Sequence, residues 1–146
     1  GTFEGMQMLI NVTGDLGYPA RSFVYQSPCP PGQHESTSMP GYCWQGGTSS
    51  DEITGHLSGY STLYFLAATT SEQKARIAET ITNLLGGIVK NNFTLVGAKS
   101  GKPTHWGHWG PQSLNDDPFW YDERGVNSNQ ILSFLVTGYA ITGNAM

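Results

Sequence analysis

Two apolar helical stripes, separated by a very short break, constrain the fold of this chain most strongly. The first runs through Ile53, Leu57 and Tyr60 toward residue 67, and the second covers residues 77–89. Apolar residues that recur every three or four positions are typical of amphipathic helices. The break at residues 69–71 leaves room only for a reversal of direction. The sequence therefore predicts an antiparallel pair of helices.

Further elements surround this pair. A helix is predicted over Phe3–Val12, ended by Gly14, and another over Asn127–Ile141, with four residues pointing inward: Ile131, Leu132, Leu135 and Tyr139. Segments 93–96 and 103–106 flank a turn and predict a β-hairpin. Ser49 and Glu52 match a capping box, so a helix begins there. The predicted fold is mainly α, with one small β-hairpin and long ordered loops.

The long loop at residues 15–47 carries most of the prolines and both cysteines, and Ser22–Tyr25 is compatible with a short strand within it. In an oxidising compartment Cys29 and Cys43 would form a disulfide, whereas in the cytosol they would remain thiols. The glycosylation sequons at Asn11 and Asn92 favour the first alternative. We therefore expect a secreted, extracellular glycoprotein.

Composition restricts the class of partner. Charged residues make up 12% of the chain, aromatic residues another 12%, and the net charge is −4 without a basic cluster. These values argue against nucleic acid as a partner. No apolar run approaches the roughly 18 residues that a membrane span requires. Low charge with many aromatic residues, Gly, Ser and Thr is common in extracellular proteins that handle glycans, so carbohydrate is the expected partner.

Short motifs recur along the chain. Residues 12–15 (VTGD) resemble residues 141–144 (ITGN), and residues 50–53 (SDEI) resemble residues 128–131 (SNQI). Repeated helical units of this kind predict a stack or ring of αα-hairpins. Four helices do not close a ring. We therefore expect residues 1–146 to be a single domain or a fragment of a larger one, or to associate with copies of the same chain.

The segment from Trp44 to Asn144 resembles the (α/α)6 toroid superfamily of six-hairpin glycosidase-like proteins. The resemblance rests on blocks at residues 44–52, 101–109, 114–120 and 124–128, with an earlier block at 13–22. It implies αα-hairpin repeats of an incomplete toroid, with helix N-termini and loops facing a glycan cleft. Gly47 stands where the family pattern has Asp, which would impair this copy if that Asp were catalytic.

The catalytic candidates lie at the start of the second predicted helix. Glycoside cleavage needs two carboxylates at a suitable separation. Asp51 and Glu52 are acid–base candidates, with a second carboxylate at Asp116, Asp117 or Asp122, and His56 follows one turn later. The alternatives are that the two acids cap the helix and interact with its dipole, and that the histidine is half-buried.

The substrate-binding candidates are mostly aromatic. They are Trp44, His105, Trp106, Trp109, Trp120, Arg124 and Asn127. Tryptophan faces suit sugar C–H faces, although tryptophan also anchors loops, so we expect two of the four to pack and two to face a cleft. Arg124 could bind a uronic acid or pair with a nearby Asp, and Asn127 could instead be a helix cap.

These candidates leave three functions open. The chain could be a polysaccharide hydrolase or lyase, a non-catalytic structural or fibre-forming glycoprotein subunit, or a glycan-binding module. His105 and His108 are three residues apart without a carboxylate or Cys at zinc-site spacing, so no metal or other cofactor is expected.

Overall fold

Within residues 1–144, the first and last elements are helices, and two small sheets lie between them in the chain. The computed structural model describes residues 1–144. Its elements are α1 (Thr2–Asn11), β1 (Ser22–Tyr25), β2 (His34–Glu35), β3 (Tyr42–Gln45), α2 (Ser50–Thr62), a π-helical turn (Leu63–Ala67), α3 (Ser71–Lys90), β4 (Thr94–Val96), β5 (Pro103–His108), α4 (Pro111–Asp116), a 3₁₀ turn (Pro118–Trp120) and α5 (Arg124–Thr142).

The Pro-rich segment is a three-stranded antiparallel sheet. Its strand order is β1-β3-β2, and the strand predicted at residues 22–25 is confirmed. The Cys29–Cys43 disulfide is formed and ties the β1–β2 connection to the buried middle of β3. β2 and β3 were not predicted, because two-residue and four-residue strands among prolines show no clear alternation of polar and apolar residues.

The central helices have the predicted boundaries. The capping box of Ser49 and Glu52 opens α2, and a second capping box, of Thr70 and Gln73, opens α3. Between them the helix widens into the π-helical turn at Leu63–Ala67, which places Phe65 and Leu66 at the surface. The predicted stripe of α3 is confirmed, since residues 77, 81, 84, 85 and 88 are all buried.

The predicted β-hairpin is confirmed as β4 and β5, which pair antiparallel. β5 passes so close to β4 that an added Cβ at Gly107 would lie 2.4 Å from Leu95 Cβ. A side chain at this position would collide with the neighbouring strand, so only glycine fits. The loop that follows contains α4 and the 3₁₀ turn.

The helix directions follow from contacts at this hairpin. α5 begins beside β5, because Asn127 Nδ2 donates to the His108 carbonyl oxygen at 3.0 Å. α3 ends beside the same sheet, because only the three residues 91–93 separate its last residue from the first residue of β4. α3 therefore runs antiparallel to both α2 and α5. The last turns of α5 consequently lie at the same end of the molecule as the π-helical turn.

A single hydrophobic core joins four of the helices and both sheets. Its largest fully buried side chains are Tyr18, Tyr60, Ile10, Ile53, Ile81, Leu84, Leu85, Ile88 and Leu95. None of the helices among residues 1–144 is both long enough and apolar enough to cross a bilayer.

The predicted incomplete (α/α) toroid is wrong. The structure is a small mixed domain of five helices and two antiparallel sheets rather than repeated αα-hairpins. The first recurring motif reflects a shared helix ending, because Gly14 and Gly143 both have left-handed φ angles, of 74° and 71°. The second is not equivalent in the two places: residues 50–53 open α2, whereas 128–131 lie inside α5.

The predicted inward face of α5 is also wrong in part. Leu132 and Tyr139 are exposed, whereas Asn127, Phe134, Gly138 and Ile141 are buried. This helix carries apolar side chains on more than one side, so their spacing alone does not show which side packs on the core.

Candidate functional site

Aromatic rings from β5 and the 3₁₀ turn form a cluster on the surface. Trp106 lies 6.0 Å from Phe119 and 6.0 Å from Trp120 between ring centroids. His105 lies 4.3 Å from Trp106 and 5.8 Å from Phe119. Trp106 is 44% exposed and Phe119 57% exposed, whereas Trp120 is buried beneath them. We call Trp106, Phe119 and His105 the aromatic platform.

Local structure fixes the two outer rings in place. Asp117 caps the 3₁₀ turn, because its Oδ1 accepts a hydrogen bond from the Phe119 N–H at 3.0 Å, and Pro118 follows as the first residue of the turn. Trp120 then supports Trp106 edge-on from below. The platform is therefore preorganised on a strand and a capped turn.

His108 supports Trp120, the buried ring beneath the platform, with 4.8 Å between the two ring centroids. Its Nε2 lies 2.9 Å from the Thr104 carbonyl oxygen, and its Nδ1 lies 3.3 Å from Ser113 Oγ. A carbonyl only accepts, so Nε2 carries the hydrogen and Nδ1 accepts from the serine hydroxyl. Burial lowers the pKa of His108, which favours this neutral form. Both ring nitrogens are thus engaged within the protein.

A cation–π pair follows the 3₁₀ turn in the chain. The Arg124 guanidinium lies 4.8 Å from the centre of the Tyr121 ring, a cation–π arrangement that holds both side chains. Tyr121 is exposed. Four acidic residues lie in the same stretch of chain, at positions 116, 117, 122 and 123. The segment from 116 to 124 therefore carries a net negative charge.

The remaining candidate substrate-binding residues lie in the protein interior. Trp44 is buried against Tyr18 and His34. Trp109 is buried against Phe134 and donates its Nε1 hydrogen to Gln130 Oε1 at 3.0 Å. Asn127 is buried and joins α5 to β5. These three residues anchor loops and helices.

Both carboxylate oxygens of Glu52 have partners at the start of α2. Its Oε2 accepts hydrogen bonds from the Ser49 N–H and hydroxyl, both at 2.6 Å, and its Oε1 lies 3.2 Å from Arg21 Nε. Burial raises the pKa of this carboxyl, but the Ser49 hydrogen bonds and the Arg21 charge outweigh it, so the pKa is lowered. A carboxylate held ionised in this way suits a helix cap better than a proton donor.

His56 lies one turn further along α2 and is only 5% exposed. Burial lowers its pKa to about 4, partly offset by the charge of Glu52. Within residues 1–144, its Nδ1 has no hydrogen-bond partner. The ring contacts Tyr60 at 5.7 Å. Asp51 is exposed beside these residues.

Arg21, Glu52 and His56 line an open groove of about 270 Å³ between α1 and α2, with Met6 and Leu9 on its other wall. Two predicted catalytic residues therefore come together with an arginine that was not predicted. Glu52 contacts Ser49 and Arg21, and the His56 ring contacts Tyr60. No residue of the aromatic platform takes part in these contacts. Across residues 1–144, no three His, Cys, Asp or Glu side chains are grouped to hold a metal ion.

The other predicted positions are at the surface or in turns. Both sequon residues, Asn11 and Asn92, are exposed. Gly47 has a left-handed φ of 74°, a conformation that suits glycine better than the Asp expected from the family pattern.

Sequence reasoning identified Trp106, His105 and Arg124 but missed Phe119 and Tyr121. The Asp117-Pro118 pair, which starts the 3₁₀ turn, is a turn signal that could have placed Phe119 at the surface. Comparisons with protein-family models, with curated proteins and with solved structures gave no match to this chain.

Proposed function

We propose that this protein is a secreted carbohydrate-binding domain that holds glycans on the aromatic platform without cleaving them. The observation that carries the proposal is the exposure of Trp106 and Phe119 side by side on a rigid base. Large aromatic side chains are normally buried, and an exposed cluster marks a binding surface. Flat rings match the apolar C–H faces of pyranose sugars, and the N–H and O–H edges of Trp106, His105 and Tyr121 suit sugar hydroxyls.

The charge near the platform argues for sugar over nucleic acid. Single-stranded nucleic acids also stack on aromatic side chains, but their phosphates require a positive groove. Arg124 is the one arginine or lysine between residues 103 and 146, and four acidic residues lie close to it in sequence. A neutral ligand with stacking faces fits this surface better than a polyanion.

The states of Glu52 and His56 in α2 favour glycan binding without glycan cleavage. Glu52 is held by Ser49 and Arg21, and His56 is buried and neutral at physiological pH. A general acid for glycoside cleavage needs a protonated group with a raised pKa, which neither residue provides. The disulfide agrees with an oxidising, extracellular location.

The test is isothermal titration of neutral oligosaccharides into the wild-type protein and the Trp106→Ala variant. We expect Trp106→Ala to weaken binding at least about tenfold, as loss of an aromatic anchor does. Tyr25→Ala is the matched control, since Tyr25 is 75% exposed on the other sheet. Equal losses in both variants, no glycan binding by the wild-type protein, or product release that depends on Asp51 would each contradict the proposal.

A further inference from the structure

The outer side of α5 is an apolar stripe. Leu132, Val136 and Tyr139 follow one another at helical spacing and are each 59–61% exposed. On the opposite side of the same helix, Phe134 and Ile141 are buried in the core. A helix that is apolar on two sides is typical of a position between two packed layers. One of those layers is the core of this chain, and no element of residues 1–144 covers the other side, where Leu132, Val136 and Tyr139 are exposed.

The π-helical turn carries two further exposed apolar side chains. Phe65 is 56% exposed and Leu66 is 83% exposed. The turn lies at the end of the molecule where α5 finishes, because α2 and α5 run in the same direction. We call Phe65, Leu66, Leu132, Val136 and Tyr139 the terminal apolar face.

The two segments that supply the terminal apolar face contain no charged side chains, and a neighbouring cation is Lys74 of α3, 5.1 Å from the Tyr64 ring beside Phe65. The sequence has no Asp, Glu, Lys or Arg between Gly125 and Asn144, and none between Leu57 and Ser71. The chain as a whole has a net charge of −4. A surface whose own side chains are uncharged opposes no like charges when two identical, negatively charged chains meet on it.

The area of the face also suits association. Five large side chains, each more than half exposed, present on the order of 500 Å² of apolar surface. A standard interface buries roughly 800 Å² on each partner, with an apolar centre and a polar rim. The apolar area of the face is of the size expected for the centre of such an interface.

From these observations we infer that the terminal apolar face is a homodimer interface, covered by the same face of a second copy. A two-fold axis lets one patch pair with itself, so no other complementary surface is needed. The aromatic platform lies near the start of α5 and remains open in this arrangement. The inference therefore stands apart from the proposed glycan binding.

The test is sedimentation velocity of the full chain over a micromolar concentration series. The wild-type protein is expected to reach twice the chain mass of 15.8 kDa, before any glycan is counted. Val136→Glu, and separately Leu66→Glu, should raise the dimer dissociation constant at least about tenfold by placing like charges in the interface. Thr82→Glu adds the same charge at an exposed position on α3 and should leave the constant unchanged.

Circular dichroism establishes that each variant is folded before its mass is measured. A wild-type protein that stays monomeric throughout the series would overturn the inference. A dimer that persists unchanged in both glutamate variants would overturn the inference as well. A monomer that binds phosphatidylcholine vesicles, and loses this binding in Val136→Glu, would assign the face to lipid instead.

Discussion

His56 lies on the buried face of α2, one turn beyond Glu52, with its ring against Tyr60. A buried imidazole avoids a charge, because the interior solvates the imidazolium poorly. Glu52, in contrast, stays ionised because Ser49 and Arg21 surround it. At the scale of single residues, the α2 groups therefore govern stability against acid.

His56 should make stability fall as the pH falls. Its pKa is lowered from 6.5 to about 4, so between these values the unfolded chain binds a proton that the folded chain does not. Stability is complete above pH 6.5 and is lost toward pH 4, by on the order of 3 kcal/mol. Urea titrations across this range should show a shallower slope for His56→Gln, with a residual slope from His108, whose pKa is also lowered. An unchanged slope in His56→Gln would refute this assignment.

Among the elements, the start of α2 depends on one acidic side chain. Glu52→Ala removes the side-chain acceptor of the capping box and the Arg21 ion pair. We expect the free energy of unfolding at neutral pH to drop by about 1–2 kcal/mol in urea titrations. Glu72→Ala is the control, since Glu72 also lies in the first turn of a helix but contributes mainly through the helix dipole. Equal effects of the two substitutions would rule out the capping role.

Most of the helices and one of the two sheets could be predicted from the sequence, whereas their arrangement could not. α1, α2, α3, the β-hairpin and α5 were predictable, because capping residues and strong apolar periodicity mark them locally. The toroid was not a sound inference, because short motifs such as residues 12–15 record how a helix ends and not how helices are arranged. The exposed side of α5 could not be predicted, since both of its sides are apolar.

Which tryptophans of the candidate site are exposed could not be predicted from the sequence either. Exposed and buried tryptophans have the same local sequence signature: Trp106 and Trp109 are three residues apart in one Trp/His-rich stretch. The strand β5 and its contact with α5 decide that one faces solvent and the other faces Phe134. Tertiary packing, which the sequence pattern does not encode locally, therefore selects the platform.

For the whole molecule, the disulfide holds the small sheet closed. It links residues 14 apart in sequence, and in the loop-entropy model such a link contributes about 3 kcal/mol. We expect the double variant Cys29→Ala, Cys43→Ala to lose about this amount in guanidinium titrations. Reduced wild-type protein is the control, because reduction opens the loop and keeps both side chains. Full stability in both samples would contradict this role.

Dimerisation would place two aromatic platforms in one particle. Two weak sites on one particle bind a polymer more tightly than either site alone, provided that both can reach it. The assembly and the platform would then act together on long glycans, while each remains testable by itself.

The most direct measurement follows the four indole N–H signals by nuclear magnetic resonance while a neutral oligosaccharide is added. The Trp106 signal should shift and saturate, because its ring is exposed within the platform. The signals of Trp44 and Trp109, both buried away from the platform, should stay in place. Saturable shifts confined to the buried pair, or no shift at Trp106 with every glycan tried, would contradict the account.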